Sequence, residues 1–183
     1  MKEERKSGNP FKKLDDLVLA GANVAVRAYN WTTGGTKAEL ANGLLWTGTG
    51  IMSATSPYEI PIVLPLVYLI TKINQYHEKK EILASDSQLK DLDVEKRKTT
   101  YALLGYMSAG FSAIYGIGIF TETESKKILK DSILSLGMLT ISLSEHIMRA
   151  DYLPPQKDIV ARLIDRYHER QEQKTLIPVP IRV

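Results

Sequence analysis

The chain has 183 residues, enough for one domain, with a formal net charge of +3 and no cysteine. The missing cysteine excludes disulfides, thiolate catalysis, cysteine-ligated zinc and iron–sulfur clusters. The small charge, mixed in sign along the chain, gives no basis for nucleic-acid binding.

Mean hydropathy is −0.15, ordinary for a water-soluble protein, but charge and apolarity are segregated. Charges crowd into residues 1–16, 72–98 and 157–174 and leave the segments between nearly bare. In chain order, residues 1–10 are polar. Residues 14–31 place Leu14, Leu17, Val18, Gly21, Val24, Ala25 and Ala28 at helical spacing and predict a first helix. Asp15, Asp16 and Arg27 make it a poor span, so it is expected at a membrane interface or packed on a bundle. The two aspartates, and an apolar run of only Leu17-Val18-Leu19, argue against a cleaved signal peptide ending at Ala20-Gly21-Ala22. Gly34-Gly35 marks a turn at 30–36.

Residues 38–56 are the second predicted helix, stopped by Ser56-Pro57. The third runs from 57 to about 81. Its apolar core, 60–71, is short, with Lys72 able to snorkel and Tyr58 and Tyr76 as interfacial anchors. Pro65, and with it Pro61, is expected to remove backbone hydrogen bonds and kink this helix. Residues 77–98 form a hydrophilic connector, itself expected to be helical in part. The fourth helix, 99–121, holds twenty-three residues without a charge, bounded by Lys96, Arg97 and Lys98 and by Glu122 and Glu124. About 20 helical residues cross a hydrocarbon core of roughly 30 Å. The fifth helix covers 127–150 and is broken by Leu153-Pro154-Pro155. The sixth, 156–174, is amphipathic, with Ile159, Leu163, Ile164 and Tyr167 on one face.

These elements predict an all-α polytopic membrane bundle. An N-terminal polar segment and amphipathic helix occupy 1–37. A transmembrane bundle occupies 38–155, with spans near 38–56, 58–76, 99–121 and 128–149. A cytoplasmic amphipathic helix and extended apolar tail occupy 156–183. Lysine and arginine favour one side: 56–59 has neither and 122–126 has one lysine, while the N-terminal region, 77–98 and 156–174 are rich in them. Both termini are therefore expected in the cytoplasm. The competing expectation is a water-soluble bundle with 99–121 as its buried central helix. Gly105, Gly110, Gly116 and Gly118 argue against it, since each costs about 1 kcal/mol relative to alanine in a soluble helix.

Three features are candidates for function. Gly43, Thr47, Gly50 and Ala54 on helix two, and Gly105, Ala109, Ser112 and Gly116 on helix four, each share one helical face. Small residues allow close helix approach in lipid, so helix two is expected to pack on helix four, or one face to meet another subunit. Ser142, Glu145, His146 and Arg149 form a candidate intramembrane polar site on helix five, with Glu145 and Arg149 spaced to pair at i,i+4. One reading makes Glu145 and His146 a proton or ion relay; the favoured one, from their closeness to Pro154, places them at headgroup depth, where they would serve to end the helix. Finally, Leu176–Val183 alternates apolar residues with Pro178 and Pro180, which favours extended backbone. Its Ile177-Pro178-Val179 core resembles the Ile-x-Val tail motif of small heat-shock proteins, which implies that Ile177, Val179 and Ile181 dock in a partner's groove. That resemblance ends with the tripeptide.

No metal site, cofactor site or catalytic motif is expected. The histidines, His77, His146 and His168, do not fall at ligand spacing, although Tyr76-His77-Glu78-Lys79 and Tyr167-His168-Glu169-Arg170 are similar words. Gly48-Thr49-Gly50 and Gly116-Ile117-Gly118 lack the rest of a phosphate loop. The leading functional expectation is a non-catalytic integral membrane subunit or scaffold, with other membrane subunits or further copies of itself as partners and the lipid bilayer as solvent. The alternative is a small channel or transporter with a path lined by helices three and five.

Overall fold

The computed structural model describes residues 10–55, 60–83, 92–151, 153 and 157–175. Among the described residues the chain is all-α, with six helices and no strand: α1 (Pro10–Thr33), α2 (Lys37–Ser53), α3 (Ile60–Leu83), α4 (Leu92–Thr121), α5 (Ser125–Arg149) and α6 (Ile159–Thr175). Residues 56–59 and the tail with Ile177, Val179 and Ile181 lie outside the described residues.

Local chemistry sets the boundaries. Gly34 takes a left-handed backbone, φ 74°, and ends α1 as glycine does after a helix. Its N–H donates to the Asn30 carbonyl at 2.9 Å, and the Asn30 amide donates to the Gly35 carbonyl at 3.1 Å. Thr36 then opens α2 with a reciprocal cap: its hydroxyl accepts from the Glu39 N–H, and Glu39 accepts from the Thr36 N–H. Pro65 sits inside α3, which continues through it as one helix. Helix α3 runs on to Leu83 and α4 begins seven residues before the uncharged stretch, so 14 of the 22 residues of the expected connector are helical. The 30 residues of α4 extend about 45 Å at 1.5 Å per residue.

Helix α5 is the hub. It packs along α4 on one side and α2 on the other, and α1 crosses its C-terminal end. Helix α3 leans chiefly on α2. The cross-links run in opposite order on neighbouring helices (Ala41 with Ser144 and Gly48 with Gly137; Gly105 with Ser142 and Ser112 with Ser135), so α5 is antiparallel to both α2 and α4. The apolar part of the core is small and gathers near this end: Ala22, Val26, Ala38, Ala41, Tyr101, Ile147, Met148 and Ala150.

The expected packing of helix two on helix four is corrected, because α5 lies between them. The small residues of α4 do pack, but on α5. Gly105 makes room for the His146 ring, and Ser112 bonds with Ser135. On α2, Gly43, Thr47, Gly50 and Ala54 face outward. The face that packs carries Ala41, Leu45 and Gly48 instead. Gly48 meets the backbone of Gly137 and the side chain of Ile141, and Gly137 in turn meets Gly48 and Met52. This glycine crossing, absent from the expected stripes, brings the backbones of α2 and α5 into direct contact.

Among the described residues, buried polar and charged side chains are about as numerous as buried apolar ones. Buried positions include Lys37, Asn42, Thr49, Asn74, Glu78, Ser112, Ser142, Ser144, Glu145, His146 and Arg149. Large apolar residues line the outside, among them Leu66 and Leu69 on α3 and Phe111, Ile114, Ile117 and Phe120 on α4, the last 89% exposed. One helix among the described residues, over Lys96–Thr121, is long and apolar enough to cross a membrane. Its mean hydropathy is 1.5, and 11% of that window is buried. A soluble core helix would be buried over most of its length.

A Cβ on Gly48 would lie 2.8 Å from the Gly137 carbonyl oxygen, whereas nothing lies within 4 Å of one on Gly43. Gly48→Ala is therefore expected to cost about 1–3 kcal/mol by forcing α2 from α5. Gly43→Ala should be neutral or stabilising by up to about 1 kcal/mol. Unfolding by heat or SDS titration reads both, and equal effects would contradict the crossing.

Candidate functional site

The end of the bundle where α2 begins and α3 and α5 finish holds a connected set of polar side chains. Lys37, the first residue of α2, is 2% exposed. Its ammonium reaches Glu81 of α3 at 2.6 Å and donates to the Ala150 carbonyl at 2.8 Å. A cation at the C-terminal end of α5 meets the negative end of that helix. Glu78 does the converse for α2. Its carboxylate accepts from the Ala38 N–H at 3.1 Å and from the Thr36 hydroxyl at 2.9 Å, at the helix's positive end. Three helix termini are thereby tied by two carboxylates and one ammonium.

One turn deeper, a chain of neutral groups links α2, α3 and α4. The Asn74 amide donates to Asn42 at 2.9 Å. The Tyr101 hydroxyl donates to Asn74 at 2.9 Å and lies 3.4 Å from His77 Nδ1. Serines then fasten α5 to its neighbours. Ser144 donates to the Ala41 carbonyl and Ser142 to the Gly105 carbonyl, both at 2.7 Å. Ser112 and Ser135 each donate to the other's carbonyl, at 2.8 and 2.9 Å. Every one of these satisfies a polar group that would otherwise be costly inside the protein.

Of the expected polar site, Ser142, Glu145, His146 and Arg149 are all buried. They occupy the last two turns of α5, which ends at Arg149. The expected Glu145–Arg149 pair does not form. Arg149 instead takes Asp15 of α1 in a two-point contact, 2.7 Å on each nitrogen, and also lies 3.1 Å from His146 Nδ1. The Tyr106 hydroxyl donates to the same Asp15 at 2.6 Å, and its ring meets the His146 ring edge-on at 5.0 Å. Asp15 thus clamps α1 onto α4 and α5.

Glu145 is left facing the other way. It is 4% exposed, takes part in none of the ion pairs among the described residues, and its Oε2 has no hydrogen-bond partner there. It lines two cavities at once. One, of about 220 Å³, lies between α2, α3 and α5, with walls from Leu45, Met52, Val63, Val67 and Ile141. The other, of about 250 Å³, lies between α3 and α4, with Ile73, Leu104 and Tyr101 in its wall and Asn74, His77 and Arg97 toward the polar end. Ile70 and Glu145 are common to both and mark where they meet. The gap exists because α3 is held mainly by α2 and leaves space against α4 and α5.

Sequence reasoning singled out Glu145 but missed Asp15, Lys37, Asn42, Asn74, Glu78, Glu81 and Tyr101. A usable signal was there for one of them: Asn42 is a lone amide within an otherwise uncharged helical stretch. No three His, Asp or Glu side chains among the described residues are placed to hold a metal ion. His168 of α6 is exposed, whereas His77 lies beside Tyr101. Comparison with protein families, with curated proteins and with solved structures gives no match for this chain.

The hydrogen bonds from Arg149 hold the Asp15 carboxyl down at about 2, against an ordinary value of 3.8, with burial opposing and Tyr106 assisting. A depressed carboxylate contributes stability that is full above the ordinary value and is lost as pH falls through the folded one. The clamp on α1 should weaken between pH about 4 and 2. Because Asp15 is partly exposed, the contribution is about 1 kcal/mol. Protection of residues 10–33 against hydrogen exchange, taken relative to the intrinsic amide rate at each pH, should fall over that range, and Asp15→Asn should show the lowered protection already at pH 7. Exchange insensitive to both would contradict the clamp.

Proposed function

We propose that this chain is a multi-pass, non-enzymatic membrane protein that moves a small positively charged solute or proton along a path lined by α3 and α5. In this reading α2, α3, α4 and α5 cross the bilayer, α1 and α6 lie at the cytoplasmic surface, and both termini are cytoplasmic. The outward apolar faces of α3, α4 and α5 and the basic side of the loops support the placement. Helix α2, at 17 residues, spans about 25 Å and needs local thinning of the bilayer, a modest cost.

The observation that carries the reading is Glu145. An unpaired carboxylate inside a membrane bundle is expensive, and such groups mark ion and substrate pathways. A purely structural subunit has no use for one at the junction of two cavities. The placement of α3 fits the same role, since a helix fastened chiefly to one neighbour can shift against the others.

A scaffold role remains the second reading, favoured by one observation. The α2 face with Gly43 and Gly50 has open space around it, as a helix face reserved for another subunit would.

The test is charge movement in proteoliposomes adsorbed on a solid-supported membrane, challenged in turn with H⁺, Na⁺, K⁺, NH₄⁺ and alkylammonium ions. Wild-type protein should give currents with at least one, and Glu145→Gln should reduce them at least about tenfold, the loss expected for a charge-assisted contact of about 1.4 kcal/mol or more. Currents absent with every ion, or unchanged in the variant, would contradict transport and leave the scaffold.

A further inference from the structure

The chemistry around Glu145 narrows what such a path would take. This inference rests on the transport reading above and names the class of solute. Of the two cavities that meet at Ile70 and Glu145, the one between α2, α3 and α5 has walls mostly of apolar side chains, Leu45, Met52, Val63, Leu66 and Val67 among them, whereas the one between α3 and α4 sets Ile70, Ile73 and Leu104 beside Asn74, His77, Thr100 and Tyr101. Within them the carboxylate is the one acidic side chain. It is nine-tenths buried, and its Oε2 has no partner among the described residues.

A bare metal ion is a poor occupant. Hard cations need several oxygen ligands to replace their water, commonly six or more. The cavity walls supply one carboxylate and a few hydroxyl or amide groups, and no metal-holding cluster exists among the described residues. A doubly charged organic ion would leave one charge unmet in apolar surroundings. An anion would face the carboxylate itself. The occupant that satisfies both wall and carboxylate has one positive charge, a hydrogen-bond donor on it, and an apolar body to fill the remaining space. Size is consistent, since an apolar cavity of ~150 Å³ takes benzene, and these hold about 220 and 250 Å³. The cationic side chain lining either cavity, Arg97, belongs to the α3–α4 cavity, on the polar side of the path.

We propose that Glu145, at the junction of the two cavities, binds an organic monocation: a protonated amine carried on an apolar body about the size of one aromatic ring. The ammonium donates to Oε2 while the body lies between α3 and either α2 and α5 or α4. Lateral access past the exposed Leu66, Leu69 and Ile73 of α3 lets such an amphiphile arrive from the bilayer, where it already partitions.

The probe is 2-phenylethylammonium, with 2-phenylethanol as its neutral counterpart. Binding is measured on the full chain in zwitterionic-lipid nanodiscs, with empty nanodiscs subtracting partition into lipid. The ammonium should bind at least about tenfold more tightly than the alcohol, since a hydrogen bond to a charged group contributes about 1.5–3 kcal/mol. Glu145→Gln should abolish that preference and keep the alcohol's affinity. Equal affinity of the two probes for wild-type protein, or no binding of either, overturns the proposal without recourse to a variant. A preference that survives Glu145→Gln also overturns it. If currents carried by H⁺ or inorganic ions persist while the ammonium shows no preference, the solute class is wrong and the transport reading stands. If no ion gives current while the ammonium preference is present and is lost in Glu145→Gln, the transport reading falls and the binding site stands.

Discussion

Burying an ammonium costs several kcal/mol unless opposite charge and hydrogen bonds meet it. Lys37 is buried at the first turn of α2, and the polar end of the bundle is arranged around meeting that demand. Glu81 supplies the opposite charge and the Ala150 carbonyl a second acceptor. Because those partners belong to the end of α3 and the segment just past α5, satisfying one side chain fixes three elements. Glu78 adds to the same knot by closing the start of α2. Register along α2, α3 and α5 follows from here, and so does the alignment that lets Asn42 find Asn74 and Ser144 find the Ala41 carbonyl.

From that end inward, the interior is stitched by polar contacts more than by apolar burial. The arrangement makes sense where the surroundings are as apolar as leucine. Helices in lipid gain nothing by hiding leucine, so small residues and interhelical hydrogen bonds do the packing. Gly48 against Gly137, Gly105 against His146, and the paired Ser112 and Ser135 are all of that kind. In the same setting a carboxylate without a partner stands out. Asp15, Glu78 and Glu81 each have a cation or helix terminus to answer them. Glu145 has none among the described residues, and it faces the space that α3 leaves open.

Much of the fold was legible in the sequence and the pairing was not. The uncharged run at 99–121 announced α4, and Gly34-Gly35 announced the turn before α2. That the connector is helical in part was legible, but the start of α4 at Leu92 was not, because its charged residues show no apolar stripe. The choice of packing face on α2 was beyond periodicity, since Gly43 and Gly48 both lie in a helix with small or apolar residues all round. Contacts such as Asp15 with Arg149, 134 residues apart, leave no local trace. The four polar residues of α5 were legible as a group. Their burial was not, because it depends on α1 crossing the end of the bundle and on the room left beside α3.

Outward apolar faces touching acyl chains are the claim on which the transport reading and the solute class both depend. The chain's lack of cysteine allows single spin labels to be placed cleanly, at Phe111→Cys and Ile114→Cys on α4 and at Lys127→Cys as an aqueous reference. Power-saturation EPR in liposomes should show the first two accessible to oxygen and shielded from a water-soluble nickel chelate, with the third reversed. Labels at 111 and 114 as open to the nickel chelate as the one at 127 would contradict the account.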